Sequence, residues 1–377
     1  MEAVARSYLI YDITGSAAML GVMSLANAVP MIVLSLFGGV VADRLPKKRL
    51  IQISQAAMST VSLGNAIAVS VGYLGPAHPE SWWVLILGAI VMGIIMALAM
   101  PARQAILPEL VGQEQIMNAV SLNTVGMSFF QLIGPAIAGI VIDSFGYAAV
   151  FYVMTALNAS GIVFAVFLPR TTPSQARSRT VLADVIDGLK YMLGHRTILL
   201  ILALFVASIL LAMPYQTLMP IFAKDILRVG ASGQGTLMSV CGFGALTASL
   251  VLASIPSRKR GAALLVSNIL LGLALVVFAF STSWPLSLGM MIFVGIGQTG
   301  NNTVGATLLQ THTDPEYLGR VMSIMSMSFG LSSLGTFFAG ILAESISAPW
   351  AIGGLAMMLV AISFGALLFV PRLRKLD

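Results

Sequence analysis

Apolar runs long enough to cross a membrane recur along the whole of this chain, and that recurrence leaves few folds open. A hydrocarbon core of about 30 Å takes about 20 consecutive apolar residues in a helix. Stretches of this kind lie at 16–42, 50–72, 83–102, 116–142, 147–169, 198–222, 232–256, 262–282, 286–309, 320–343 and 349–371, eleven full spans. Lipid offers no partner to backbone N–H and C=O groups, so runs of this length must be helices. The composition agrees, with 58% hydrophobic and 9% charged residues among 377 and a mean hydropathy of +0.95. The expectation is an all-α polytopic membrane protein. The longest polar segment, Pro169 to Arg196, leaves no room for a soluble domain of any size.

A pI near 9.6 raises the question of a nucleic-acid partner, and the placement of the charges answers it. With alternating spans, 17 of the 20 bases fall on one side of the membrane, and only Arg6, Lys224 and Arg228 fall on the other. The positive-inside rule makes the basic side cytoplasmic. The basic pI therefore reports topology, with the linker and C-terminus cytoplasmic in a plasma or inner membrane, and no nucleic acid is expected. Cys241 is the only cysteine, so an internal disulfide is excluded. The opening "MEAVARSYLIYDITGS" makes a poor signal peptide, because its apolar core is short and Glu2 sits in the region that should be basic.

The chain also repeats itself. "PELVG" at 108–112 returns as "PEYLG" at 315–319, and "GPAIAG" at 134–139 as "GTFFAG" at 335–340, each of the latter pair followed by an acid, Asp143 and Glu344. Lys47-Lys48-Arg49 matches Arg258-Lys259-Arg260. The shared order implies two pseudo-symmetric six-helix bundles, 1–168 and 198–377, joined by a cytoplasmic linker at 169–197. Paired bundles with a midplane site are a transporter architecture. By this repeat the helix before Tyr11-Asp12 is a stub of about 15 Å, so the first span is expected to be truncated, with Glu2 near the bilayer midplane, where charge is costly.

Between the first two full spans stands "GGVVADRLPKKRL". Its Gly39-x-x-x-Asp43-Arg44-x-x-Lys47-Lys48 resembles the loop 2–3 signature of the major facilitator superfamily, with Pro46 where that signature has Gly and lysines in place of arginines. Gly134-Pro135-x-x-Ala138-Gly139 resembles the antiporter motif of the same superfamily. With "YDITGSA" and "RQAILPELV", these stretches look like its proton-linked exporter branch, which contains macrolide-efflux and enterobactin-exporter proteins. The resemblance implies a gating role for Gly39, Asp43, Arg44, Lys47 and Lys48, and a direction-setting role for Gly134, Pro135 and Gly139, which also read as a packing bend. An Asp43 carboxylate at a helix C-terminus wants an outside partner. Asp314-Pro315 opens a helix whose N-terminus would supply one, latching the cytoplasmic side.

No acid or base falls clearly in the middle of a complete span, which leaves neutral polarity to hold a substrate. In "GQTGNNTVGATLLQT", Gln298, Asn301, Asn302 and Gly305 share one helix face. Amides are expensive against lipid, so this face should line a cavity or bond another helix. The superfamily resemblance implies that spans one, four, seven and ten line the cavity. Tyr215 and Gln216, beside Pro214 and Met213, are further cavity candidates, and Asn27 is a candidate for either the cavity or a helix–helix bond. Met92, Met96 and Met100 form a stripe that reads as adaptable binding surface or as filler. Possible proton-coupling groups are Asp12, Asp143 and Glu344 near external span ends, the last two reading equally as helix ends. No phosphate-binding loop appears, so ATP is not the expected energy source. No enzyme activity, metal or cofactor is expected.

The reading is a secondary transporter that exports small amphipathic compounds, drug-, macrolide- or siderophore-like, by alternating access with proton antiport, working as a monomer in the lipid bilayer. Rival readings are a lysophospholipid transporter and a transport-dead membrane protein.

Overall fold

A computed structural model gives the architecture. It describes the chain except residues 45, 112–114, 169–180, 255–258, 375 and 377, and in addition the side chains of 35–44, 104–105, 107–109, 116–117, 120–121, 181–186, 253–254 and 372 lie outside the description. Helices dominate: α1 (Glu2–Thr14), α2 (Ala17–Arg44), α3 (Lys47–Ser70), α4 (Trp82–Leu110), α5 (Ile116–Val166), α6 (Val181–Gly194), α7 (Arg196–Ala212), α8 (Pro214–Ile221), α9 (Gly230–Ser254), α10 (Arg260–Phe280), α11 (Trp284–His312), α12 (Pro315–Ser345), α13 (Ala348–Phe369) and α14 (Pro371–Arg374).

Among the described residues, eight stretches are both long and apolar enough to cross a membrane. The eleven expected spans are nonetheless present as helices. α5 counts once but turns at Gly146, whose φ of 79° and ψ of 175° only glycine adopts without strain, so it holds two spans. α3 and α11 fall short on hydropathy because they carry amide and hydroxyl residues, Gln52, Gln55, Asn65 and several serines in α3 and Gln298, Asn301 and Asn302 in α11. α7 ends at Met213 because Pro214 cannot continue its hydrogen bonding, and α8 restarts with that proline in its first turn.

The helices form two compact units, Met1–Ser178 with Gly230–Gly235, and Arg179–Val229 with Thr236–Asp377. In the first, Leu50 and Ile51 of α3 pack with Ala102 and Ile106 of α4 and Ala165 of α5. In the second, Phe205 of α7 and Leu264, Leu308 and Val321 of α10, α11 and α12 form the centre. Lipid supplies no hydrophobic drive between helices, so close backbone approach at small residues does that work. A Cβ on Gly93 would strike the Asn27 carbonyl oxygen, one on Gly295 that of Cys241, and one on Gly335 that of Leu210.

Two expectations need correction. The linker 169–197 is not wholly polar, since its second half is α6, which packs into the second unit. Gly188 of α6 lies against Arg320 and Ile324 of α12, and one turn on, Met192 enters the core. Arg6 is not an external loop base. It lies within α1, half-buried, with its Nε and Nη1 enclosed.

Candidate functional site

In the second unit the break at Pro214 gathers a polar cluster. The Tyr215 hydroxyl, 2% exposed, donates to Gln298 Oε1 at 3.3 Å and lies 3.4 Å from the Cys241 sulfur. Gln298 Nε2 meets the Met213 sulfur at 3.3 Å, and Gln216 Nε2 reaches the same Tyr215 hydroxyl at 3.4 Å. These bonds are long and several involve sulfur, so the cluster is held loosely. A turn further along α11, Asn301 is buried and Asn302 half-buried, and among the described residues neither Oδ1 has a hydrogen-bond partner. An unmet buried amide oxygen costs about 1–3 kcal/mol, a cost that a bound hydrogen-bond donor would remove. Gly305 on the same helix lies against Phe205 and Leu264 and gives room at this level. Tyr215, Gln216 and Gln298 are thus brought together, with the two asparagines nearby on α11.

Asn27 stands elsewhere, in the first unit. Its Nδ2 donates to the Ala89 carbonyl at 3.0 Å, tying α2 to α4. Met92 packs with Met58 and Ile95 in the core, while Met100 is 44% exposed, so the methionine stripe does not present one common surface.

Of the charged hinge, the side chains of Gly39, Asp43 and Arg44 lie outside the described residues. Lys47 and Lys48 open α3. Lys47 is buried, and Lys48 Nζ donates to the Val166 and Leu168 carbonyls at 2.6 and 2.7 Å. A cation at those carbonyls complements the C-terminal end of α5. At the start of α12 the Asp314 N–H is taken by the Tyr191 hydroxyl at 3.1 Å, which donates in turn to Asp314 Oδ2 at 2.9 Å. Tyr191 also stacks on Tyr317, centroids 4.1 Å apart, so this helix end is engaged by α6.

Gly134, Pro135 and Gly139 lie along the first half of α5. A Cβ on Gly139 would strike the Ala231 carbonyl oxygen, and one on Gly235 that of Pro135, so the motif permits close approach to residues 230–235. Asp143, one turn beyond Gly139, accepts from the backbone N–H of Ser232 at 2.8 Å and of Ala231 at 3.3 Å. These donors belong to a helix first turn, which offers them no acceptor within the helix, and a carboxylate satisfies them well. Asp12 accepts from the Tyr147 hydroxyl at 3.1 Å, and Glu344, exposed near the end of α12, is also engaged.

Two features escaped sequence reasoning. One is a cavity of about 580 Å³ lined by Val111, Gln115, Asn118, Ala119, Leu122 and Val125, whose α5 members recur at helical spacing. The other is the pairing of Glu2 with Arg6. Their i, i+4 spacing on one helix was the available signal.

A family model described as transmembrane secretion effector, of the major facilitator type, matches residues 1–377. The chain belongs to this family. Relatives of the major facilitator type include the staphyloferrin A transporter of Staphylococcus aureus, 27% identical over 99% of this chain and 92% of its own length. The multidrug efflux pump Tap of Mycolicibacterium fortuitum is also 27% identical, with the same coverage. Solved structures share the fold. The nucleoside transporter NupG superposes with a TM-score of 0.73 at 14% identity, covering 97% of this chain and 98% of that one. A POT peptide transporter gives 0.75 at 14% identity, covering 100% and 92%. As a major facilitator protein, the chain is an integral membrane transporter of small molecules and not an enzyme.

Proposed function

We propose that this transporter exports small amphipathic compounds across the plasma membrane by alternating access, in exchange for protons, with Tyr215, Gln216, Gln298, Asn301 and Asn302 among the groups that meet the substrate. The observation that carries the reading is the cluster at Pro214. It is uncharged, built from a phenol, amides and sulfur atoms, and loosely bonded. Such a surface repacks around different shapes, as promiscuous binders do. The chain's relatives, a staphyloferrin A transporter and a multidrug efflux pump, support export of small compounds.

The test is Asn302→Ala. With Oδ1 lacking a hydrogen-bond partner among the described residues, the substitution is expected to change which compounds of an unrelated panel are exported while leaving the melting temperature nearly unchanged. If Asn302 instead glues helices, its loss lowers stability by about 0.6 kcal/mol, the average for such bonds in membranes, and affects every compound alike. A uniform loss that tracks the melting curve would remove Asn302 from the substrate surface.

A further inference from the structure

Among the described residues, Glu2 is the only buried carboxylate, 6% exposed. Its Oε2 accepts from the Ser62 hydroxyl at 3.4 Å, and its Oε1 has no hydrogen-bond donor. Arg6 Nε stands 3.9 Å from Oε1, beyond hydrogen-bond distance, and Arg6 Nε and Nη1 are themselves buried without an acceptor. Two opposite charges thus share a buried place without satisfying each other. The Met1 amine on the same helix end also acts on Glu2 and lies near Gly134 of α5. From α3 comes the uncharged Ser62. The next acid on α1, Asp12, is ten residues away and is held by Tyr147 of α5.

A buried ion pair persists in a membrane protein at high cost and marks function by default. A proton needs no cavity, so an enclosed carboxylate can carry one. The acids nearer the span ends differ. Asp143 is met by two backbone N–H groups and Asp12 by a phenol, so each already has a structural partner.

We propose that Glu2 carries the transported proton and that Arg6 is its counter-charge, an inference that rests on the proton-antiport reading above. The proton adds to the unpartnered Oε1 and leaves again as the same proton, with no other bond made or broken. While Glu2 is ionised, Arg6 has a neighbouring anion. Once Glu2 is neutral, Arg6 is a buried cation without one, and the conformation that buries it is disfavoured. Proton loading is thereby linked to a change of state.

The experiment uses the full chain in two arms. In proteoliposomes, ethidium movement is followed with and without an imposed pH gradient for the wild type, Glu2→Gln and Glu2→Asp. Glu2→Gln, which cannot take up a proton, is expected to abolish the response of ethidium movement to the gradient, and Glu2→Asp to recover part of it. If the wild type responds to the gradient and Glu2→Gln responds equally, the inference is overturned and the antiport reading stands. A wild type that moves ethidium regardless of the gradient overturns the antiport reading itself. In the second arm, infrared difference spectra of the purified protein between acid and neutral pH are compared, a readout that needs no substrate. A protonated-carboxyl band lost in Glu2→Gln supports the assignment, and an unchanged band overturns it.

Discussion

Gly295→Val is expected to abolish most folded protein, while Gly289→Ala on the same helix leaves the melting temperature near wild type. A Cβ on Gly295 would strike the Cys241 carbonyl oxygen and come within 2.9 Å of the Ala245 nitrogen, and reciprocally one on Gly244 would strike the Ile292 carbonyl oxygen. The obstacle in each case is helix backbone, which cannot rotate aside as a side chain can. Overpacking costs about 1–3 kcal/mol where neighbours adjust, and more is expected where they are backbone on both sides. Gly289 has nothing within 4 Å of its would-be Cβ. Melting curves of the purified variants by fluorescence-detected size exclusion make the comparison. A Gly295→Val protein that melts with the wild type would mean that α9 and α11 are not held this closely.

Asp143→Ala is expected to lose more stability than Asp12→Ala, where the carboxylate removed meets a phenol. Two backbone donors, Ala231 and Ser232, lose their acceptor together, and a hydrogen bond to a charged group is worth about 1.5–3 kcal/mol. Asp143→Asn keeps one acceptor oxygen and should lose about half as much, again by the value of one such bond. The same pair separates the two readings left open by sequence. If Asp143 serves as a helix cap, stability falls in the order wild type, Asn, Ala, and gradient-driven transport falls with it. If it carries a proton, Asn removes driven transport with no matching change in melting.

Most of the fold was legible because a membrane imposes one solution on a long apolar run. The span limits at 50–72 and 262–282 correspond to α3 and α10 within a few residues, since Pro46 and the basic knot at 258–260 mark where lipid ends. The second half of the linker was missed because α6 is short and has two faces. Its Gly188 and Met192 pack inward while Leu189 and Leu193 stay exposed, and at 14 residues it is too short to read as a span. The Pro214 cluster was half legible. Met213, Tyr215, Gln216 and Gln298 stand out in the sequence, but Cys241 joins them only through tertiary packing. The role of Lys48 was not legible at all, because a base in a cytoplasmic loop and a base bound to the end of α5 read the same in sequence. Arg6 was misassigned for a related reason. Counting bases by side of the membrane treats every base near a terminus as solvated, whereas only packing reveals a buried one.

The central claim is proton-driven export, and one measurement addresses it most directly. Cells producing the full chain and cells lacking it are loaded with ethidium, and retained dye is followed with and without a protonophore. The account predicts lower retention in producing cells and loss of that difference when the protonophore collapses the proton gradient. Equal retention in both, or a difference that survives the protonophore, would contradict it.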